Sequence, residues 1–247
     1  MVTVEFDRLD IKPGFKILDI GCGSGRHTCA AYRLPDVIAV GADLKFDDLT
    51  EAAKRLELHN RLGEHGGGVW GLAAADVTAL PFKNDHFDLV ICSEVLEHIG
   101  SYLQAIHEII RVLKPGRNLV VSVPRSWPER ICWALSTDYH TVEGGHLRIF
   151  NQAQLICDLQ NAGVRQWAHH YAHSLHTPFW WLKCLVGPDR EGSWPVNLYH
   201  RFLTWDIMQQ PILTRFLDRL LNPVLGKSTV VYLKKEVQGS KVQRFKG

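Results

Sequence analysis

Apolar and β-branched residues gather in short runs at 16–20, 37–41, 69–74, 87–92 and 118–123, each bounded by polar or glycine-containing stretches. Runs of this length between turn signals predict buried strands. Between them, apolar positions recur at helical spacing: Leu49, Ala52, Ala53 and Leu56 in one segment, Leu103, Ile106, Ile110 and Leu113 in another. Gly66-Gly67-Gly68 and Lys114-Pro115-Gly116 punctuate the alternation, because glycine and proline favour turns over regular backbone. Strand–helix–strand alternation needs crossover connections, which predicts a parallel sheet with helices on both faces.

A further unit follows. Asn151 reads as an N-cap, Leu155, Ile156 and Leu159 as the buried stripe, and Gly163 as the stop. Residues 164–171 and 228–233 read as the last two strands. Two segments break the pattern, 125–149 and 174–226, and they hold Trp127, Trp133, Trp180, Trp181, Trp194 and Trp205. In the longer one, Leu198, Phe202, Trp205 and Met208 share a helical spacing, as do Leu213, Phe216, Leu217 and Leu220, with Pro211 between them. The expected organisation is a single domain over 1–247, with 125–149 as an active-site loop insert and 174–226 as an apolar helical cap between the last two strands. Simple packing of these helices on the domain is the alternative.

Composition narrows the field. With 247 residues, 46% hydrophobic and 22% charged, the chain is neither disordered nor a fibrous repeat. A net charge of +2 gives no footprint for nucleic acid, so no nucleic-acid partner is expected. Only the end is locally basic, at Lys234, Lys235, Lys241, Arg244 and Lys246. The longest uncharged run, 166–182, carries four histidines and a proline and does not read as a membrane span. The N-terminus has no basic region followed by an apolar stretch, so no signal peptide is expected. Six cysteines without a CxxC pair read as buried thiols of a cytoplasmic protein.

The densest chemistry lies at Ile17-Leu18-Asp19-Ile20-Gly21-Cys22-Gly23-Ser24-Gly25, an apolar strand running into a glycine turn. Glycine lets the backbone curl tightly and approach a ligand without Cβ obstruction. A dinucleotide fingerprint would need glycine at 26, where the chain has Arg26, and Asp19 would repel a pyrophosphate. An anionic loop suits a cationic ligand. Asp43 ends the second strand 18 residues after Gly25.

This segment resembles motif I of the class I S-adenosylmethionine-dependent methyltransferases (the methyltransferase type 11 group). Val40-Gly41-Ala42-Asp43, Ala74-Ala75-Asp76-Val77, residues 87–99 and Leu113-Lys114-Pro115-Gly116 follow in that family's order. The resemblance covers roughly residues 10–124, more weakly 148–170 and 228–236. The run Glu94-Val95-Leu96-Glu97-His98-Ile99 is most similar to the small-molecule branch that includes quinone-biosynthesis methyltransferases. The resemblance implies a Rossmann-like, seven-stranded, mostly parallel sheet whose last strand runs antiparallel. It implies S-adenosylmethionine as cofactor, held by Asp19, Gly21, Cys22, Gly23, Gly25, Asp43, Leu44, Asp76, Val77, Ser93 and Glu94. In it Asp76 accepts from the adenine amine and Val77 lies against the ring.

Methyl transfer needs alignment and, for a hydroxyl acceptor, a base. Glu94 and His98 stand four apart, on one face of a helix starting there. His98 is the first candidate base, and Glu94 a cofactor-side or helix N-terminal carboxylate. A second polar cluster, 138–150, offers His140, Glu143, His146 and Arg148 to bind or deprotonate an acceptor. Alternatively, His146 and Arg148 anchor the loop. His169 and His173 on a strand would stand about 13 Å apart, too far to chelate jointly, so no metal site is assigned. His173 and His176 are placed facing the acceptor pocket. Phe179-Trp180-Trp181-Leu182 beside Lys183 suits a greasy acceptor or a peripheral membrane contact, with core packing the alternative. The expected reaction is methylation of a small apolar acceptor (lipid, isoprenoid or aromatic) at oxygen by a monomer or homodimer. The rivals are a tRNA or protein methyltransferase and a non-catalytic S-adenosylmethionine-binding partner protein.

Overall fold

The computed structural model describes residues 2–141, 145–187 and 192–237; Lys241, Arg244 and Lys246 of the basic tail lie outside them. Seven strands form one sheet: β1 (Lys16–Ile20), β2 (Ile38–Asp43), β3 (Val69–Ala74), β4 (Phe87–Ser93), β5 (Leu113–Pro124), β6 (Val164–Ala172) and β7 (Ser228–Lys235). Their order is β3-β2-β1-β4-β5-β7-β6. The first five are parallel, and β7 runs antiparallel between β5 and β6. This is the Rossmann-like arrangement implied by the resemblance. Helices α1 (Arg26–Tyr32), α2 (Phe46–Arg61) and α3 (Tyr102–Val112) make the crossovers.

Both faces of the sheet are covered, which is why the central strands read as continuous apolar runs. Successive side chains point to opposite faces. Leu18, Ile20, Val90, Cys92 and Val121 therefore pack with Ile106 and Leu155 on one side. Ile17, Leu89, Ile91, Val120 and Tyr232 pack with Cys29 and Leu56 on the other. In α3 the buried stripe is Ala105, Ile106, Ile109 and Ile110. Leu103 instead lies on the solvent flank, and Leu113 belongs to the next strand. The expected Lys114-Pro115-Gly116 turn is an excursion inside β5, where the partner of Phe87 is Leu113 and that of Leu89 is Asn118.

Three helices follow β5: α4 (Ser126–Leu135), α5 (Asp138–Thr141) and α6 (Gln152–Asn161). The Asn151 side chain caps α6 by accepting from the Ala153 and Gln154 N–H groups. Between β6 and β7 run α7 (His176–Val186), α8 (Trp194–Gln209) and α9 (Ile212–Leu225). Helix α4 packs on α7, α7 on α8, and α9 lies against β6. Five of the six cysteines are buried thiols; Cys157 is exposed, because the inward stripe of α6 is Leu155 and Leu159. Among the described residues no helix is long and apolar enough to cross a membrane.

The carboxyl ends of β1, β2, β3 and β4 lie along one sheet edge, with β1 flanked by β2 and β4. Strand order reverses there, and open α/β sheets bind ligands at such a point.

Candidate functional site

The turn after β1 explains its glycines. Gly21, Gly23 and Gly25 have φ of +63°, +49° and +80°, a left-handed conformation that side chains disfavour. A Cβ on Gly21 would also stand 2.2 Å from Val95 Cγ2. The turn is fixed by Cys22 N–H donating to the Ala42 carbonyl (3.1 Å) and Gly23 N–H donating to Asp43 Oδ2 (2.8 Å).

Behind this turn stands Asp19, which is expected at the cofactor but lies in the core. It is 2% exposed, and its Oδ2 accepts from the Thr28 N–H (2.9 Å) and hydroxyl (2.7 Å). Burial raises its pKa to about 7 against the opposing Thr28 bonds. Asp19 therefore ties the start of α1 to β1 and acts through the loop. The neighbouring His27 is held neutral by burial, its pKa lowered to about 3, and it accepts from the Thr3 N–H.

In front of the turn is a cleft of about 320 Å³. Of the expected residues, Gly21, Asp43, Leu44, Asp76, Val77, Glu94 and His98 line it. Cys22, Gly23, Gly25 and Ser93 do not line it and instead support those that do. Ile20, Lys45, Asp48, Ala75, Val95 and Ile99 complete the lining, and sequence reasoning missed them. Five of the six adjoin a residue that it did identify; Asp48 lies in the first turn of α2.

The carboxylates are oriented by backbone groups. Asp43 Oδ2 holds Gly23 N–H, and its Oδ1 accepts from Lys45 N–H at 2.9 Å. Asp76 Oδ1 accepts from both the N–H and the hydroxyl of Thr78 at 2.8 Å. Four carboxylates (Asp43, Asp48, Asp76 and Glu94) face a single lysine, Lys45, in the lining. Such a field favours a cation and disfavours a phosphate.

Glu94 and His98 both reach the cleft, but not from one helix face. Glu94 has φ +57°, a left-handed residue that stops a helix from starting there, and only a short 3-10 turn, Leu96–His98, follows. Ser122 Oγ donates to Glu94 Oε1 at 3.0 Å and bonds Ser93 Oγ at 2.8 Å. Burial raises the Glu94 pKa, with Lys227 pulling the other way.

Beside the cleft, two histidines and two glutamates converge. His146 Nδ1 lies 2.5 Å from Glu129 Oε1, and the His146 and His98 rings are 4.9 Å apart. Glu129, in α4, is 2% exposed and also accepts from Trp133 Nε1 (3.1 Å) and the Tyr139 hydroxyl (3.4 Å). Burial pushes its pKa up, but the hydrogen bond and charge of His146 outweigh this and hold it below the usual carboxylate range. A carboxylate only accepts, so Nδ1 of His146 is the donor in this pair. His98 Nδ1 likewise donates to the Gly145 carbonyl at 3.2 Å.

Glu97 is fully buried, with neither carboxylate oxygen hydrogen-bonded among the described residues. Burial, then repulsion from Glu94, pushes its pKa well up. Ligand atoms of Glu97, His98 and His146 lie within 4.8 Å of one another, a donor set able to hold a metal ion where the sequence assigned none.

The other candidates separate cleanly. Arg148 is an anchor: it donates to the carbonyls of Leu96, Ile99 and Gly100 and lies over the Tyr102 ring. The His140 side chain and Glu143 fall outside the described residues. His173 and His176 line a different cleft with Asp206 and Asp218, because β6 is the far edge strand, three places from β4, and packs against α9. Residues 179–182 form no exposed patch. Phe179 is buried, Trp181 Nε1 donates to the Pro128 carbonyl (3.1 Å), and Trp180 lies 5.7 Å from the Tyr139 ring. Sequence reasoning also misses Glu129, whose local signal is only a charged pair, Glu129-Arg130, between Trp127 and Trp133.

Residues 18–121 match the methyltransferase domain family. Methyltransferase GfsG of Streptomyces halstedii is 30% identical over 125 residues, covering 49% of this chain and 42% of that protein. Demethylmenaquinone methyltransferase of Staphylococcus haemolyticus is 32% identical over 120 residues, 49% of this chain and 47% of that protein. The chain thus spans less than half the length of these curated relatives. Among solved structures, a SAM-dependent methyltransferase from Methanosarcina mazei superposes with TM-score 0.57 at 16% identity, covering 92% of this chain and 95% of that one. The [4+2]-cyclase SpnF superposes at 0.61 with 20% identity, covering 94% and 79%. Those two likenesses show the fold alone, which hosts more than one activity.

Proposed function

We propose that the chain carries an S-adenosylmethionine-dependent methyltransferase domain, matched over residues 18–121, and that it methylates a hydroxyl of a small, apolar acceptor. The cleft fits the cofactor on its own chemistry. A glycine turn that a Cβ would crowd adjoins four carboxylates and apolar walls from Ile20, Leu44, Val77 and Val95. Asp43 would accept from the ribose hydroxyls, Asp76 would accept from the adenine amine, and Leu44 and Val77 would hold the base. Glu94 and the anionic lining favour the cationic end.

When bound, S-adenosylmethionine supplies a methyl group on a sulfonium whose positive charge disappears in the transfer. His146 takes the acceptor's proton at Nε2 as the oxygen–methyl bond forms and the sulfur–methyl bond breaks. Glu129 holds the Nδ1 proton and stabilises the resulting imidazolium. Tyr139, 5.8 Å from the His146 ring, and Trp180, 5.7 Å from the Tyr139 ring, would wall the acceptor's approach and exclude water. The observation that carries this reading is the 2.5 Å Glu129–His146 pair beside a cleft-lining histidine.

Methyl-labelled S-adenosylmethionine incubated with the protein and a cell extract tests it. Label should move into molecules extracted by organic solvent and be released from none of them as volatile base. Label confined to precipitated RNA or protein would overturn the small-acceptor reading in favour of a macromolecular methyltransferase.

A further inference from the structure

We propose that α8 and α9 together form a docking surface for an anionic lipid bilayer. On α8, Trp194, Leu198, Phe202, Trp205 and Met208 recur at helical spacing, and all are exposed, Trp194 by 74%. On α9, Ile212, Leu213, Phe216, Leu220 and Val224 do the same, with Ile212 at 88%. The opposite side of each helix faces the protein, through Leu203 on α8 and Thr214 on α9. The apolar stripes therefore point away from the core. Contiguous exposed apolar surface of this kind marks an interaction site.

Charge is sorted across the same helices, and this selects the partner. Their two acids are drawn inward: Asp218 accepts from Ser174 Oγ (2.7 Å) and Leu175 N–H (3.2 Å), and Asp206 is half-buried with Oδ1 enclosed. Every exposed formal charge on them is an arginine: Arg201, Arg215 and Arg219. Arginines flanking an apolar face with tryptophans suit an interface of acyl chains beneath anionic headgroups. A second copy of the chain would set arginine against arginine. Neither helix can span a membrane, so each lies in the interface plane.

The surface is also continuous with the site. Ring centroids step from Trp205 to Phe202 (6.1 Å), Tyr199 (5.9 Å), Phe179 (6.0 Å), Trp180 (5.8 Å) and Tyr139 (5.7 Å). Docking itself stands on the helices alone and does not depend on methyl transfer.

Flotation of the whole protein with vesicles tests it, using phosphatidylcholine alone and an equal mixture with phosphatidylglycerol. Binding should be stronger to the mixture by on the order of tenfold or more, with a blue shift of tryptophan fluorescence. The Phe216→Glu/Leu220→Glu variant should lose most of that binding while keeping its circular dichroism and melting temperature. Arg215→Gln/Arg219→Gln, which leaves the apolar face intact, should lose the preference for the mixture. No binding to the mixture, or equal binding by the arginine variant, would overturn the proposal. So would a dimer by sedimentation that buries this face and ignores vesicles.

Discussion

Replacing His146 with alanine lowers the rate of methyl transfer by about 10²–10⁴-fold, the contribution of a positioned base, and leaves affinity for S-adenosylmethionine within about twofold. The two effects separate because His146 contacts Glu129 and the His98 and Tyr139 rings, while the cleft lining reaches only as far as His98. Glu129→Gln keeps the side-chain shape and removes the charge that stabilises the imidazolium. The double variant should be no slower than His146→Ala alone, because the two residues act as one unit. Single-turnover rates with saturating cofactor measure this. Equal rates for wild type and His146→Ala would reduce the pair to a loop anchor, the alternative that the sequence leaves open. Free imidazole should restore part of the rate in His146→Ala, which a purely structural role would not allow.

Asp43→Ala should weaken S-adenosylmethionine binding at least tenfold by isothermal titration. A hydrogen bond to a charged group contributes about 1.5–3 kcal/mol, and each 1.4 kcal/mol is about tenfold. The loss has two parts. The ribose hydroxyls lose their acceptor, and the Gly23 and Lys45 N–H groups lose the oxygens that fix the turn at 2.8 and 2.9 Å. Asp43→Asn should fall in between, since one amide oxygen still accepts but the amide nitrogen faces a backbone donor. Asp76→Ala should cost less than Asp43→Ala, because Asp76 organises only Thr78. Unchanged affinity in Asp43→Ala would remove Asp43 from the site.

Much of the fold is legible because its signals are local. Short apolar runs, glycine turns and acids at strand ends are read within a few residues, and Gly21, Asp43, Asp76 and Val77 line one cleft at the ends of those strands. Asp19 is buried as the alternation of its own strand dictates. Strand alternation places it with Ile17, whose core neighbours include Cys29 of α1, so it points away from the ligand side of the turn. Spacing puts Glu94 and His98 on one helix face because it cannot show that Glu94 is left-handed.

What stayed hidden depends on packing between distant segments. Glu129 and His146 lie 17 residues apart, and no pattern links them until α4 folds over the loop. The periodicity of α8 and α9 was plain, but periodicity gives an amphipathic face and not its direction. The Phe179–Leu182 aromatics read as the exposed patch and are instead packed inward, while the exposed apolar surface belongs to the two helices that follow.

The most direct test of the account is native mass spectrometry of the intact chain titrated with S-adenosylmethionine, alongside Asp43→Ala. The account predicts saturation at one cofactor per wild-type chain and a sharply reduced complex for the variant. A wild-type chain that takes up no cofactor at saturating concentration would contradict it, and with it the assignment of the cleft at the β1–β4 edge.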